Sequence, residues 1–138
     1  VLEVIWFKRD LRVSDHAPLA AACARAAAAG GWCLGLHVVE PALLHAPDYA
    51  ARHWAATREA LVELRQNLAR LGLPLALRTG EVVEILERLR RHAAARRARL
   101  ALWSHEETGN ALTYARDRAV RRWARAHCIE WTESPQTG

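Results

Sequence analysis

The sequence predicts an α/β domain: a five-stranded parallel sheet with helices covering both faces. Three observations predict it. Short apolar runs, long enough for buried strands and too short for helices, recur along the chain. Between them lie segments with apolar residues at helical spacing. Glycine or proline punctuates most of the junctions. At 138 residues the chain has room for one domain with a proper core and little else.

The first run is Val4-Ile5-Trp6-Phe7. Residues 16–29 are Ala-rich and helical, and Gly30-Gly31 stops them. Residues 32–39 form the second buried run, followed by a loop containing Pro41 and Pro47. Trp54, Leu61, Leu64, Leu68 and Leu71 then make one helical stripe, closed by Gly72. Leu75-Ala76-Leu77 is a third strand, and Gly80 precedes a helix whose inner side carries Val82, Ile85, Leu86 and Leu89. Leu100 to Trp103 is the fourth strand. Leu112, Ala115, Ala119 and Trp123 mark the inner face of the last helix, and Ile129-Glu130-Trp131 is a fifth short strand. Right-handed crossovers leave few ways to connect such a series. The domain is expected to span residues 1–133, with 134–138 opening a linker. A start at Val1 and the lack of any Met point to an excised or processed piece.

Apolar residues at 51% and charged residues at 25% exclude a disordered chain. No apolar run reaches the roughly 20 residues that span a bilayer, and no signal peptide opens the chain. Cys23, Cys33 and Cys128 are odd in number and lack a Cys-x-x-Cys spacing. They read as buried or half-buried thiols in a reducing cytoplasm, not as a disulfide framework or zinc site. The net charge of +5 is carried by arginine, because Lys8 is the sole lysine. Arg88, Arg90, Arg91, Arg96, Arg97 and Arg99 cluster toward the end of one helix. There Glu84 to Arg88 and Glu87 to Arg91 have the spacing of a solvated, ion-paired face, with a phosphate-binding patch as the alternative.

Ligands of parallel sheets gather beyond the carboxyl ends of the strands. Those ends offer Lys8-Arg9-Asp10, Glu40 to His45, Thr79-Gly80-Glu81 and Ser104 to Asn110, a polar edge suited to a heteroaromatic or nucleotide-like ligand. The dinucleotide glycine fingerprint, the Walker A loop and the nucleophile elbow are all missing. His105-Glu106 opens like a zinc-protease motif, but Gly109 stands in place of the second His, so no metal is expected. Glu106 and Glu107 fit helix-start electrostatics, with Thr108 or Asn110 as the cap. Six tryptophans read first as core and edge packing, with a chromophore platform as the alternative.

Trp6-Phe7-Lys8-Arg9-Asp10-Leu11-Arg12, with Asp15 and Pro18-Leu19 after it, resembles the opening motif of the DNA photolyase and cryptochrome family. Ser104 to Asn110, followed by Tyr114-Ala115-Arg116-Asp117, resembles the loop and last helix of that family's N-terminal domain. Trp131 to Gly138 is similar to the segment leaving it. The resemblance runs through the whole chain in order. It implies a Rossmann-like, doubly wound sheet of order 3-2-1-4-5 that can hold an antenna chromophore. A larger helical domain would bind FAD and damaged DNA. Excited reduced flavin there would split a pyrimidine dimer flipped out of the duplex. On that reading no catalytic residue lies in this chain, and Trp6, Trp54, Trp103 and Trp123 are not the family's electron relay.

Carried over residue by residue, the antenna edge comprises Arg9, Asp10, Glu40, His45, Arg52, Glu106, Glu107 and Asn110. His45 falls near the His that follows the second strand in folate-binding members. Those members also place an Asn-Glu pair ahead of the Arg and Asp of the last helix. Here Ala111 follows Asn110, and alignment on Arg116-Asp117 puts Leu112-Thr113 at the pair, so the carboxylate is absent and folate is disfavoured. A deazaflavin, a flavin, a lumazine or no antenna stay open. His16-Ala17 also stands where Asn is common before the proline. Arg9, Asp10 and Arg12 are expected to order the first loop and to pair with carboxylates such as Glu106 or Asp117. Arg52 and Glu107 are expected at the antenna rim or an interdomain contact. The leading implied function is light-driven repair of pyrimidine dimers by the parent flavoprotein. The alternatives are a cryptochrome-type photoreceptor domain and, more remotely, a stand-alone nucleotide-binding module.

Overall fold

The computed structural model describes residues 1–44 and 51–136, with side chains at all of these except 51–53. Strands β1 (Leu2–Trp6), β2 (Trp32–Val39), β3 (Leu75–Thr79), β4 (Leu100–His105) and β5 (Glu130–Ser134) form one sheet. All pairs are parallel and the order is β3-β2-β1-β4-β5. Helices α1 (Ala17–Ala29), α2 (Pro41–Leu44), α3 (Ala51–Arg70), α4 (Val82–Ala95) and α5 (Ala111–Ala126) connect them. The expected α/β class and strand order are thus present.

The period-2 geometry of β1 divides the core. Val4 and Trp6 face one side, where they pack with Val82, Leu86, Val120 and Trp123 of α4 and α5. Ile5 and Phe7 face the other, against Leu19 and Ala22 of α1 and Leu64 and Leu68 of α3. Leu36, Leu64, Leu68, Leu86 and Leu102 are fully buried, each contributing about 2–3 kcal/mol of transfer free energy.

Local chemistry sets the helix ends. His16 is the N-cap of α1, its ring accepting the Leu19 N–H, and Gly30 at φ 71° supplies the left-handed stop. Glu81 caps α4 through the Val83 and Glu84 N–H groups. Asn110 and Thr113 form a reciprocal capping box on α5.

Four local readings shift. The inner face of α5 is Asp117, Val120, Trp123 and Ala124, while the expected Leu112 and Ala115 are exposed. The chain after β2 is not all loop: Pro41 opens the one-turn helix α2, where its fixed φ suits the first helical position. β5 begins one residue later than expected and runs on to Ser134, whose carbonyl accepts the Glu106 N–H at 2.8 Å. Cys128 is exposed, at a left-handed φ of 54°, while Cys23 and Cys33 are half-buried. Burial pushes the Cys33 thiol up to about 12, reinforced by the neighbouring Cys23. No helix among the described residues is long and apolar enough to cross a membrane.

Candidate functional site

Strand order reverses between β1 and β4, because β1 passes to β2 on one side and β4 continues on the other. The loops after β1 and β4 therefore diverge and leave a crevice at their carboxyl ends. A cavity of about 570 Å³ opens there, within the range of small-molecule sites. Trp6, Lys8 and Arg9 line it from β1 and its loop, His37 to Glu40 from β2, and Asn110, Thr113 and Arg116 from α5. Trp54 of α3 faces them.

A charge lattice forms the cavity's inner wall. The Arg116 guanidinium donates from Nη1 to Glu40 at 2.5 Å, from Nη2 to Glu107 at 2.5 Å and from Nε to Asp117 at 2.7 Å. Lys8 Nζ donates to Asp117 at 2.5 Å and to the His105 carbonyl at 3.0 Å. Arg9 donates to Glu107 at 2.9 Å, and Gly109 N–H adds a bond to the same oxygen at 2.7 Å. Lys8 and Arg116 also lie over the Trp6 ring at 4.5 and 4.8 Å, so indole faces replace part of their lost hydration. Three cations thus meet three carboxylates.

The titration directions follow from this sharing. Burial pushes the Glu40 carboxyl up, and Arg116 only partly offsets it, because the nearby Asp117 and Glu81 charges push the same way as burial. Burial also opposes ionisation of Glu107, but Arg116, Lys8 and Arg9 outweigh it and the net direction is down. Arg116 is itself buried, yet its three carboxylates raise its pKa, so it stays charged. Burial lowers His37, whose Nδ1 is 2.7 Å from the Phe7 carbonyl. A neutral His37 therefore donates from Nδ1 and keeps Nε2 as an acceptor on a ring that lines the cavity.

Behind this wall lies a second node. The His16 and His105 imidazoles both bond Asp10 Oδ2, His105 Nδ1 at 2.8 Å, and all three residues are buried. Burial alone would raise Asp10, but the two imidazoles hold its carboxyl well below the usual range. Three ligand atoms here lie within 4.8 Å of one another, a metal-like grouping that sequence spacing missed. The helix cap weighs against a metal. His16 Nδ1 accepts the Leu19 N–H, which fixes the ring's proton on Nε2. A cation on Nε2 would shift that proton to Nδ1 and break the cap.

Of the eight expected edge residues, Arg9, Glu40 and Asn110 line the cavity. Glu107 sits behind it as the bridge between Arg9 and Arg116, and its bonds to the Thr108 and Gly109 N–H groups order the loop instead of facing the helix dipole. Asp10 belongs to the buried histidine node. Glu106 is exposed and does not line the cavity, so the expected pairing with the first loop passes to Glu107. Asp117 does pair with that loop, through Lys8, while Arg12 donates to the Asp15 carbonyl and, among the described residues, to no carboxylate. His45 and the Arg52 side chain lie outside the described residues. His37, Thr113 and Arg116 were not among the expected edge residues, and Lys8 was expected on that edge without a binding role. The available signal was a lone lysine and a lone His in an apolar strand, each far more often structural.

A sequence model of the DNA photolyase family matches residues 3–137. The chain belongs to the DNA photolyase family. Within that family it is 32% identical over 111 residues to a cryptochrome DASH of Arabidopsis thaliana, covering 76% of this chain and 18% of the relative. It is 42% identical over 72 residues to a deoxyribodipyrimidine photo-lyase of Salmonella typhimurium, covering 52% and 15%. A photo-lyase of Synechococcus is 30% identical over 130 residues, covering 87% and 25%. This photolyase-family chain therefore spans at most a quarter of these relatives' length, and corresponds to the family's N-terminal α/β domain. In fold it also resembles a Burkholderia pseudomallei protein of the universal stress protein family, with a TM-score of 0.52 at 19% identity, covering 98% of this chain and 96% of that one.

Proposed function

We propose that this domain holds an antenna chromophore in the switch-point cavity of a photolyase-like flavoprotein that repairs pyrimidine dimers with light. The supporting observation is the cavity itself. It combines the Trp6 and Trp54 indoles, the His37 acceptor nitrogen, the Glu40 carboxylate and the exposed Arg9 guanidinium around a volume suited to one heteroaromatic ring system. Asn110 Oδ1 is spent on the α5 cap, which leaves its amide N–H₂ for a ligand acceptor. The one acid of α5, Asp117, is buried and held by Lys8 and Arg116. That helix presents no free carboxylate to a pterin donor edge, so the chemistry favours a flavin, deazaflavin or lumazine over folate. A larger helical domain of the parent would hold FAD, which in its reduced, light-excited form would lend the dimer an electron and recover it once the dimer has split. The chain's own residues would hold and orient the light absorber and pack on that domain, in a cytoplasmic setting.

Titration of the 138-residue chain with FMN, an 8-hydroxy-5-deazaflavin and a methenyl folate, followed by ligand fluorescence, tests the assignment. One-site binding of a flavin-type ring, weakened at least tenfold by His37→Ala, is expected. Saturable binding of none of them would overturn the antenna role. A second reading, a cryptochrome-type photoreceptor, is supported by the Arabidopsis relative. Dimer repair under blue light by the longer protein decides for photolyase, and a flavin photocycle without repair decides for the photoreceptor. Saturable ATP binding by this chain in calorimetry would revive the nucleotide-binding module.

A further inference from the structure

We propose that the outward face of α4 and α5 is a binding surface for the phosphate backbone of double-stranded nucleic acid, indifferent to lesions. The two helices lie side by side on one sheet face, where the Trp123 indole N–H donates to Glu87 at 3.1 Å. Their apolar stripes are spent on the sheet. Arg88 and Arg91 of α4, Arg118, Arg122 and Arg125 of α5, and Arg96, Arg97 and Arg99 just after α4 are all exposed.

A solvated, ion-paired face requires interleaved acids, and α5 has none to offer. Its single acid, Asp117, is buried and taken by Lys8 and Arg116. On α4, Glu87 is taken by Arg90 and Arg91, and Glu84 makes no ion pair with Arg88 among the described residues. Arg88, Arg96, Arg97, Arg99, Arg118, Arg122 and Arg125 likewise form no ion pair among the described residues. The helix dipole accounts for cations in the last turn only. Of these arginines Arg125 lies in the last turn of α5 and Arg96 at the C-cap of α4, so Arg88, Arg118 and Arg122 lie beyond the dipoles' reach.

The spacing is unfavourable for the isolated helix. Arg118 and Arg122 stand at i,i+4, and Arg122 and Arg125 at i,i+3, where like charges repel, while the neighbouring Arg121 is already paired with Glu133 of β5. A dense polyanion relieves that repulsion. Guanidinium forks match phosphate bidentately, and B-form DNA offers one charge per roughly 1.7 Å of axis. An anionic membrane fits less well, since it calls for apolar anchors among the cations. The exposed apolar residues of α5, Leu112 and Tyr114, lie at the opposite end of the helix from Arg122 and Arg125. Convex helix faces carrying only cations contact backbone, not base edges.

The test is fluorescence anisotropy of the 138-residue chain with a labelled, undamaged 20-base-pair duplex at increasing salt. About five phosphate contacts give a log–log slope near −4.5, or a roughly 500-fold loss of affinity between about 50 and 200 mM salt. Combined Arg118→Gln, Arg122→Gln and Arg125→Gln should flatten the slope to about −1.8 and the loss to about 12-fold. Arg88→Gln, Arg96→Gln and Arg99→Gln, on α4 and the turn after it, should act alike and serve if the first set unfolds. Arg58→Gln, Arg65→Gln and Arg70→Gln on α3 change the net charge equally and should leave the slope unmoved. Absence of binding at low salt, an equal effect of the α3 set, or tighter binding to phosphatidylserine vesicles than to the duplex would each overturn the proposal.

Discussion

Arg116→Ala is the most informative single perturbation of the charge lattice. The guanidinium bonds three carboxylates whose side chains are 4–11% exposed, and its own is 10% exposed. Removing it leaves Asp117 with Lys8 and Glu107 with Arg9, but strips Glu40 of its ion-pair partner among the described residues. Breaking a buried pair in this way costs about 3–5 kcal/mol, because the surviving charge stays desolvated. With an unfolding entropy of about 2.1 cal/mol/K per residue, 138 residues give roughly 0.29 kcal/mol/K, so the melting temperature should fall by about 10–17 °C. Differential scanning calorimetry at pH 7 reads it directly. The loss should shrink as pH falls, because Glu40, with its raised pKa, can then take a proton and cease to need a cation. A drop of under about 3 °C, or a loss that is flat between pH 7 and pH 4, would refute the reasoning.

Glu40→Gln should behave oppositely. Folded Glu40 titrates above its unfolded value of 4.5, so stability is present below that value and lost as pH rises through the folded pKa. The melting temperature of the variant relative to the parent should therefore climb between pH 4 and pH 7. His16→Ala should cost about 2–3 kcal/mol in urea unfolding, as it removes both the α1 cap and a partner of buried Asp10. His16→Asn, which can still cap, should recover about 1 kcal/mol of that. Gly109→Ala places a Cβ 2.4 Å from Thr113 Oγ1 and 2.7 Å from Glu107, and should cost about 1–3 kcal/mol, with an undiminished loss in a Thr113→Ala background excluding the Thr113 clash as the cause.

The sheet was legible because both of its faces are covered, so the inner strands read as apolar runs and the helices before α5 as stripes; edge strand β5 is mixed, and the α5 stripe was misplaced because buried Asp117 interrupts it. The strand order came through the motif resemblance, since periodicity carries no information about neighbours. The antenna edge was legible in part. Arg9, Glu40 and Asn110 follow strand ends, where topology alone points. The burial of Lys8 and Arg116 was hidden because charge in a sequence gives no sign of it, and only the sheet brings a β1 loop residue onto an α5 acid 109 positions later. His16 was visible as a departure from Asn, but its partnership with His105 spans the whole switch point and needs the fold to be seen. The acid-poor face of α5 could have been read directly, had the single acid been placed on the inner stripe.

The burial of Lys8 gives this molecule a built-in gauge. A lysine-specific endoprotease has one target bond in the entire chain, immediately after the central strand, and the side chain it must grasp is 5% exposed and locked under Trp6 and Asp117. Cleavage must wait until β1 lets go of its neighbours, so when reclosing is fast the cutting rate reports the open population of the sheet's centre. Docking of a ligand or a second domain onto the switch point would then register as a slower cut, with no label attached.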